Sequence, residues 1–152
     1  MITTKLNQFH VIGLSVRTRN KDQHITKDIQ NLWNTFIKQN TILKIPNRLD
    51  DTLFGIYTDY ENGASGYYTT IVGCKVSSLD TIPEGMVGIT IKDGDYSRFT
   101  AKGDVTKDAI PDAWGKIWNA NLNRVFATDF EVYDDRAQDP TNAEVDIFIG
   151  IV

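Results

Sequence analysis

The chain is poor in the residues that build metal and redox chemistry. Its 152 residues include one cysteine, Cys74, and two histidines, His10 and His24. A single cysteine excludes an internal disulfide, and two histidines far apart in sequence do not make a metal-ligand set. Cys74 lies in an apolar run with no evident base nearby, which reads as a buried structural thiol. No apolar run approaches the roughly 20 residues that a membrane helix requires, and residues 1–6 lack the apolar core of a signal peptide. Basic residues are in the minority, 16 against 20 acidic ones, for a formal net charge of −4. A basic face for nucleic acid is therefore not expected. Asp134, Asp135 and Asp139 lack calcium-loop spacing, and no P-loop, Rossmann glycine pattern or nucleophile elbow occurs. These absences lead us to expect a soluble cytoplasmic protein with no cofactor, no metal, no membrane association and no direct contact with nucleic acid.

What is present is a core and many rings. Hydrophobic residues make up 41% of the chain, and it carries three Trp, six Tyr and seven Phe. One domain spanning 1–152 fits that composition. Strands are expected at 8–17, 53–60, 67–77, 86–92, 96–102, 129–134 and 143–151. Asp93-Gly94 reads as the turn of a hairpin joining 86–92 to 96–102. Helical spacing marks 26–39, with Ile29, Leu32, Trp33, Phe36 and Ile37 on one stripe, Thr26 as N-cap and Asn40 as closing residue. A second helix is expected at 110–121, with Pro111 in its first turn and Ile110, Trp114, Ile117 and Trp118 on its stripe. Gly115 inside it would mark close packing.

The halves resemble each other. LWNTFIKQN aligns with AWGKIWNAN, which matches Trp33 to Trp114 and Ile37 to Trp118. GIYTDY aligns with EVYDDR, which matches Tyr57 to Tyr133 and Gly55 to Glu131. Before the helix, ITTKLNQFHVIG resembles ITIKDGDYSRFT, which pairs Phe9 with Tyr96. The shared order predicts an α+β fold of duplicated β-α-β-β units, repeat one over about 1–80 and repeat two over about 81–152. Pseudo-two-fold packing would give an antiparallel sheet with both helices on one side and a pocket at the seam.

Core packing alone would explain any one tryptophan. As symmetry mates, Trp33 and Trp114 would form facing walls of a groove suited to flat or cationic ligands. Strand alternation puts Glu131 and Tyr133 on one face and Phe130 and Val132 on the other. Glu131 is either an exposed strand acid or a carboxylate at the base of the groove, where a cationic ligand would supply the missing charge. Glu144, Asp146 and Phe148 share a face of the last strand, which reads as solvated.

FHVIGLSVRT, the W-x-x-F helix, YYTTIVGCKVS, IPEGMVGITIKDGDYSRFTAKG, AWGKIWN, DFEVYDDR and AEVDIFIGI together resemble the GyrI-like, AraC-type effector-binding domains. The likeness is strongest to stand-alone forms, some of them encoded on integron cassettes, and it covers essentially the whole chain. It implies a duplicated fold with a pocket between the halves that takes lipophilic cations, as in multidrug-responsive regulators. Carried over by position, the acid is Glu131, and the aromatic walls are Trp33, Tyr57, Tyr68, Phe99, Trp118 and Phe148, beside Trp114. Lys75 stands where family members often carry an acid. Regulators of this kind also contain a helix-turn-helix domain, for which this chain has no room. The resulting expectation is a binding protein for amphipathic cations. The alternatives are a small hydrolase with Glu131 as general base and Tyr133 or Tyr68 orienting the substrate, and a module that binds another protein.

Overall fold

The computed structural model describes residues 2–19, 24–63 and 65–152, the side chains of residues 24–26 excepted. Its strands are β1 (Ile2–Leu6), β2 (Phe9–Arg19), β3 (Arg48–Thr58), β4 (Tyr67–Val76), β5 (Val87–Ile91), β6 (Gly94–Gly103), β7 (Arg124–Tyr133) and β8 (Ala143–Ile151). Helix α1 spans His24–Lys38 and α2 spans Ala109–Asn119.

Periodicity explains the helices. In α1, Leu32 and Phe36 are buried against Ile12, Val72, Cys74 and Val76 of the sheet. In α2, Ala113 and Ile117 are buried against Ala101, Val145, Ile147 and Ile149. Asn40 follows α1 at φ +50, the left-handed position that closes helices. The α1 helix is already formed at His24, so Thr26 lies inside it rather than at its cap. Gly115 is not a packing device, because a Cβ there would meet no atom within 4 Å.

All the strands join one antiparallel sheet in the order β1-β6-β8-β7-β3-β4-β2-β5. Exchanging β1 with β5, β2 with β6, β3 with β7 and β4 with β8 reproduces that order in reverse. The centre of this exchange is the β3–β7 ladder, where Gly55 lies directly opposite Glu131. The sheet curls into a half-barrel. One face carries the helices. The other closes on a core of Val11, Phe54, Ile56, Ile71, Ile91, Tyr96 and Phe130, with Phe9 and Phe148 packed against it.

Two local expectations fail. The polar segment at the start of the chain forms β1, paired with β6. The turn at Asp93-Gly94 does not make a hairpin, because β5 pairs with β2 and β6 with β1 and β8. A two-stranded ribbon is marginal by itself, whereas pairing with the other half lets Phe9, Val11 and Ile91 share one core. Each half therefore contributes β-β-α-β-β; the strand beyond the expected β-α-β-β unit is β1 in the first half and the strand expected at 86–92 in the second.

Candidate functional site

Alternation along β7 turns Asp129, Glu131 and Tyr133 toward the helix-bearing face. Glu131 is 1% exposed. Its carboxylate is held by three neutral donors: Tyr57 Oη at 2.9 Å and Trp114 Nε1 at 2.7 Å on Oε2, and Tyr133 Oη at 2.7 Å on Oε1. None of these partners is cationic. Burial raises its pKa above the usual glutamate value, against the hydrogen bonds from Tyr133, Trp114 and Tyr57, which lower it. Burial, and next the charge of Glu131, push the Tyr57 and Tyr133 hydroxyls well above the usual tyrosine range. Both therefore stay protonated and keep donating.

The donors arrive from both halves. Trp33 on α1 packs on Tyr133 with ring centroids 4.7 Å apart, and Trp114 on α2 packs on Tyr57 at 5.3 Å. Each helix thus lays its tryptophan on the tyrosine of the other half. Space for this comes from Gly55. A Cβ there would lie 3.2 Å from Glu131 Oε1 and 3.2 Å from Trp33 Cζ2.

These groups line a cavity of about 1100 Å³ between the helices and the sheet, at the top of the size range of small-molecule sites. Of the residues expected from sequence, Trp33, Tyr57, Tyr68, Trp114, Trp118, Glu131 and Tyr133 line it. Trp118 is 57% exposed, and Ile37, its counterpart on α1, is 59% exposed; both lie on the cavity wall. Phe99 and Phe148 do not line it. Phe99 packs under α2, and Phe148 stacks on Phe130 across the sheet at 5.0 Å, on the face away from the helices. Period two explains the miss, since Phe148 points opposite to its neighbours Ile147 and Ile149. Lys75 also points to that far face, its Nζ 4.9 Å from the Phe9 ring centre. Glu144 and Asp146 pair with Lys102 and Arg136. Cys74 is fully buried, and burial pushes its thiol up to about 11.

A second buried acid escaped the sequence reading. Asp129 is 0% exposed and accepts from Gly150 N at 2.9 Å, Arg124 Nη2 at 2.7 Å and Tyr60 Oη. Tyr60 and Arg124 line the cavity too. Between Arg124 and Asp129 the β7–β8 register shifts, and Phe126 takes φ +56. Alternation in DFEVY was a signal for Asp129; nothing local announced the irregularity that brings Arg124 back to it.

Known proteins share this fold. A family model described as "Integron-associated effector binding protein" matches residues 3–151. The Bacillus subtilis (strain 168) protein YobU is 30% identical, over 97% of this chain and 95% of its own. The solved integron cassette protein VCH_CASS2 of Vibrio cholerae superposes with a TM-score of 0.77 at 30% identity, covering 99% of this chain and 95% of that one. SAV2435, solved bound to tetraphenylphosphonium, shares the fold with a TM-score of 0.80 at 17% identity, over 99% and 93% of the two chains. The chain belongs to the integron-associated effector-binding protein family.

Proposed function

We propose that this protein binds amphipathic, lipophilic cations in the cavity over Glu131. One observation carries the reading: Glu131 is a 1%-exposed carboxylate held by three neutral donors. A buried carboxylate without a counter-charge is costly, and a cation in the cavity would supply that charge. Trp33, Tyr57, Tyr68, Trp114 and Trp118 offer ring faces for stacking and cation–π attraction. The same-fold structure that holds tetraphenylphosphonium supports this ligand class. On this reading the two halves are diverged copies of one unit within a single domain. The protein acts in the cytoplasm without touching nucleic acid or membrane, as the ligand-sensing part of a system in which another protein could be the receiver.

Tryptophan fluorescence titrated with a rhodamine dye tests the proposal. Saturable quenching at or below tens of micromolar is expected, an affinity of roughly −6 kcal/mol or better. Glu131→Gln should weaken it at least tenfold. No quenching, or equal affinity in the variant, would refute it.

A hydrolytic reading draws on the same carboxylate. A burial-raised Glu131 beside the Tyr133 hydroxyl has the arrangement of a general base with an orienting group. Turnover of an electrophilic small molecule that vanishes in Glu131→Gln would support it. Binding without turnover across a substrate panel would remove it.

A further inference from the structure

On the cavity wall, Arg124 is held by one side chain and leaves donors unused. Its side chain is 10% exposed and lies on the cavity wall with Tyr60 and Tyr68. Among the described residues its one hydrogen-bond partner is Asp129, reached by Nη2 at 2.7 Å. A guanidinium carries five N–H donors, and here Nε is buried with no partner. Asp129 has little further accepting capacity, because its oxygens also take Gly150 N and the Tyr60 hydroxyl. The Phe126 ring lies 4.1 Å from the guanidinium carbon, so a further hydrogen bond from this group is made at its edge.

A continuous row of rings joins this arginine to Glu131. Trp114 contacts Tyr57, Tyr57 contacts Tyr68, Tyr68 contacts Tyr60 and Tyr60 contacts Phe126, each step between 5.3 and 5.9 Å. Glu131 lies under the first members of the row and Arg124 over the last. One end therefore presents an acid without a cation, and the other an ion pair with spare donors. Because Asp129 already balances Arg124, a neutral acceptor fits there better than a second anion.

We propose that Arg124 is a second recognition point of the cavity, donating to a carbonyl-type acceptor on the ligand. The ligand class is then an aromatic cation that carries a neutral acceptor at the far end of its ring system. This rests on the cation reading of Glu131 and adds to it.

Two probes of equal size test the assignment: tetraphenylphosphonium with a para-acetyl group on one ring, and the same ion with a para-isopropyl group. Calorimetric titration of the wild-type protein should show the acetyl ion binding about tenfold tighter. Equal affinities would overturn the proposal while leaving the Glu131 reading standing. Glu131→Gln should weaken both ions by the same factor. The charge-balanced double variant Arg124→Met with Asp129→Asn should bring the acetyl-to-isopropyl ratio close to one, whatever happens to each affinity. Persistence of the ratio in that variant would also overturn the assignment. If neither ion binds the wild type, the cation reading falls, and this one with it. The wild-type comparison needs no mutant, so a variant that does not fold leaves the test decisive.

Discussion

Gly55 and Glu131 face each other across the β3–β7 ladder, and only one of them can project a side chain into the space between the helices. Sequence comparison shows a glycine where the other half has an acid. The structure adds that the acid fits because of the glycine. Gly55→Ala places a methyl group 3.2 Å from the carboxylate and from Trp33. Overpacking of this kind costs about 1–3 kcal/mol, to be read by chemical denaturation, and cation affinity should fall with it. Glu131 itself predicts a pH effect on stability. Its folded pKa is raised, chiefly by burial, so the folded protein holds the proton that the unfolded chain releases near the ordinary glutamate value. Stability relative to Glu131→Gln should therefore decline as pH rises from that value through the raised one, and then level off. Thermal melts of both proteins from pH 4 to 8 would check this. Alternation put Glu131 and Tyr133 on one face, but whether that face is exposed or lies under the helices was not legible from it. Asp129 shares that alternation, but its partners Arg124, Tyr60 and Gly150 come from three places in the chain, and the register shift that brings Arg124 to it has no local signature.

At the scale of elements, the tryptophan helices were readable and their contacts were not. The apolar stripe places Trp33 and Trp114 on the buried side, yet each lies on a tyrosine from the other half. Such crossed pairing arises only once β3 and β7 are adjacent at the centre of the sheet. Helix α2 still carries a local weakness in Gly115, which sits mid-helix with open space around its Cα. Gly115→Ala should stabilise the protein by about 1 kcal/mol, seen as a rise in Tm with cation affinity unaltered. Strands β2 and β4 behave in the opposite way. Gly13 lies opposite Gly73, and a Cβ on Gly13 would fall 2.0 Å from the Val72 carbonyl oxygen. Gly13→Ala must push these strands apart, and we expect a loss of cooperative unfolding or a large drop in Tm. The turn at Asp93-Gly94 misled because a short-range signal cannot report that both flanking strands find partners in the other half.

For the whole molecule, a strand order that reads the same in reverse when the halves are exchanged holds an asymmetric site. The alignment that sets Gly55 against Glu131 also sets Leu53 against Asp129 and Arg48 against Arg124. Both ladders shift register between that arginine and the next paired residue, Arg48 to Leu53 in one half and Arg124 to Asp129 in the other. The register shift is thus common to both halves, while among the described residues the two buried acids, Asp129 and Glu131, belong to the second half. That polarity is the central claim, and the pH dependence of cation binding tests it most directly. Tetraphenylphosphonium affinity should be measured by calorimetry from pH 4 to 8 in the wild type and in Glu131→Gln. Since only the ionised carboxylate attracts the cation, wild-type affinity should fall about tenfold per unit once the pH drops below the raised pKa of Glu131. The variant should bind weakly at every pH. A flat wild-type profile, or the same slope in both proteins, would contradict the account.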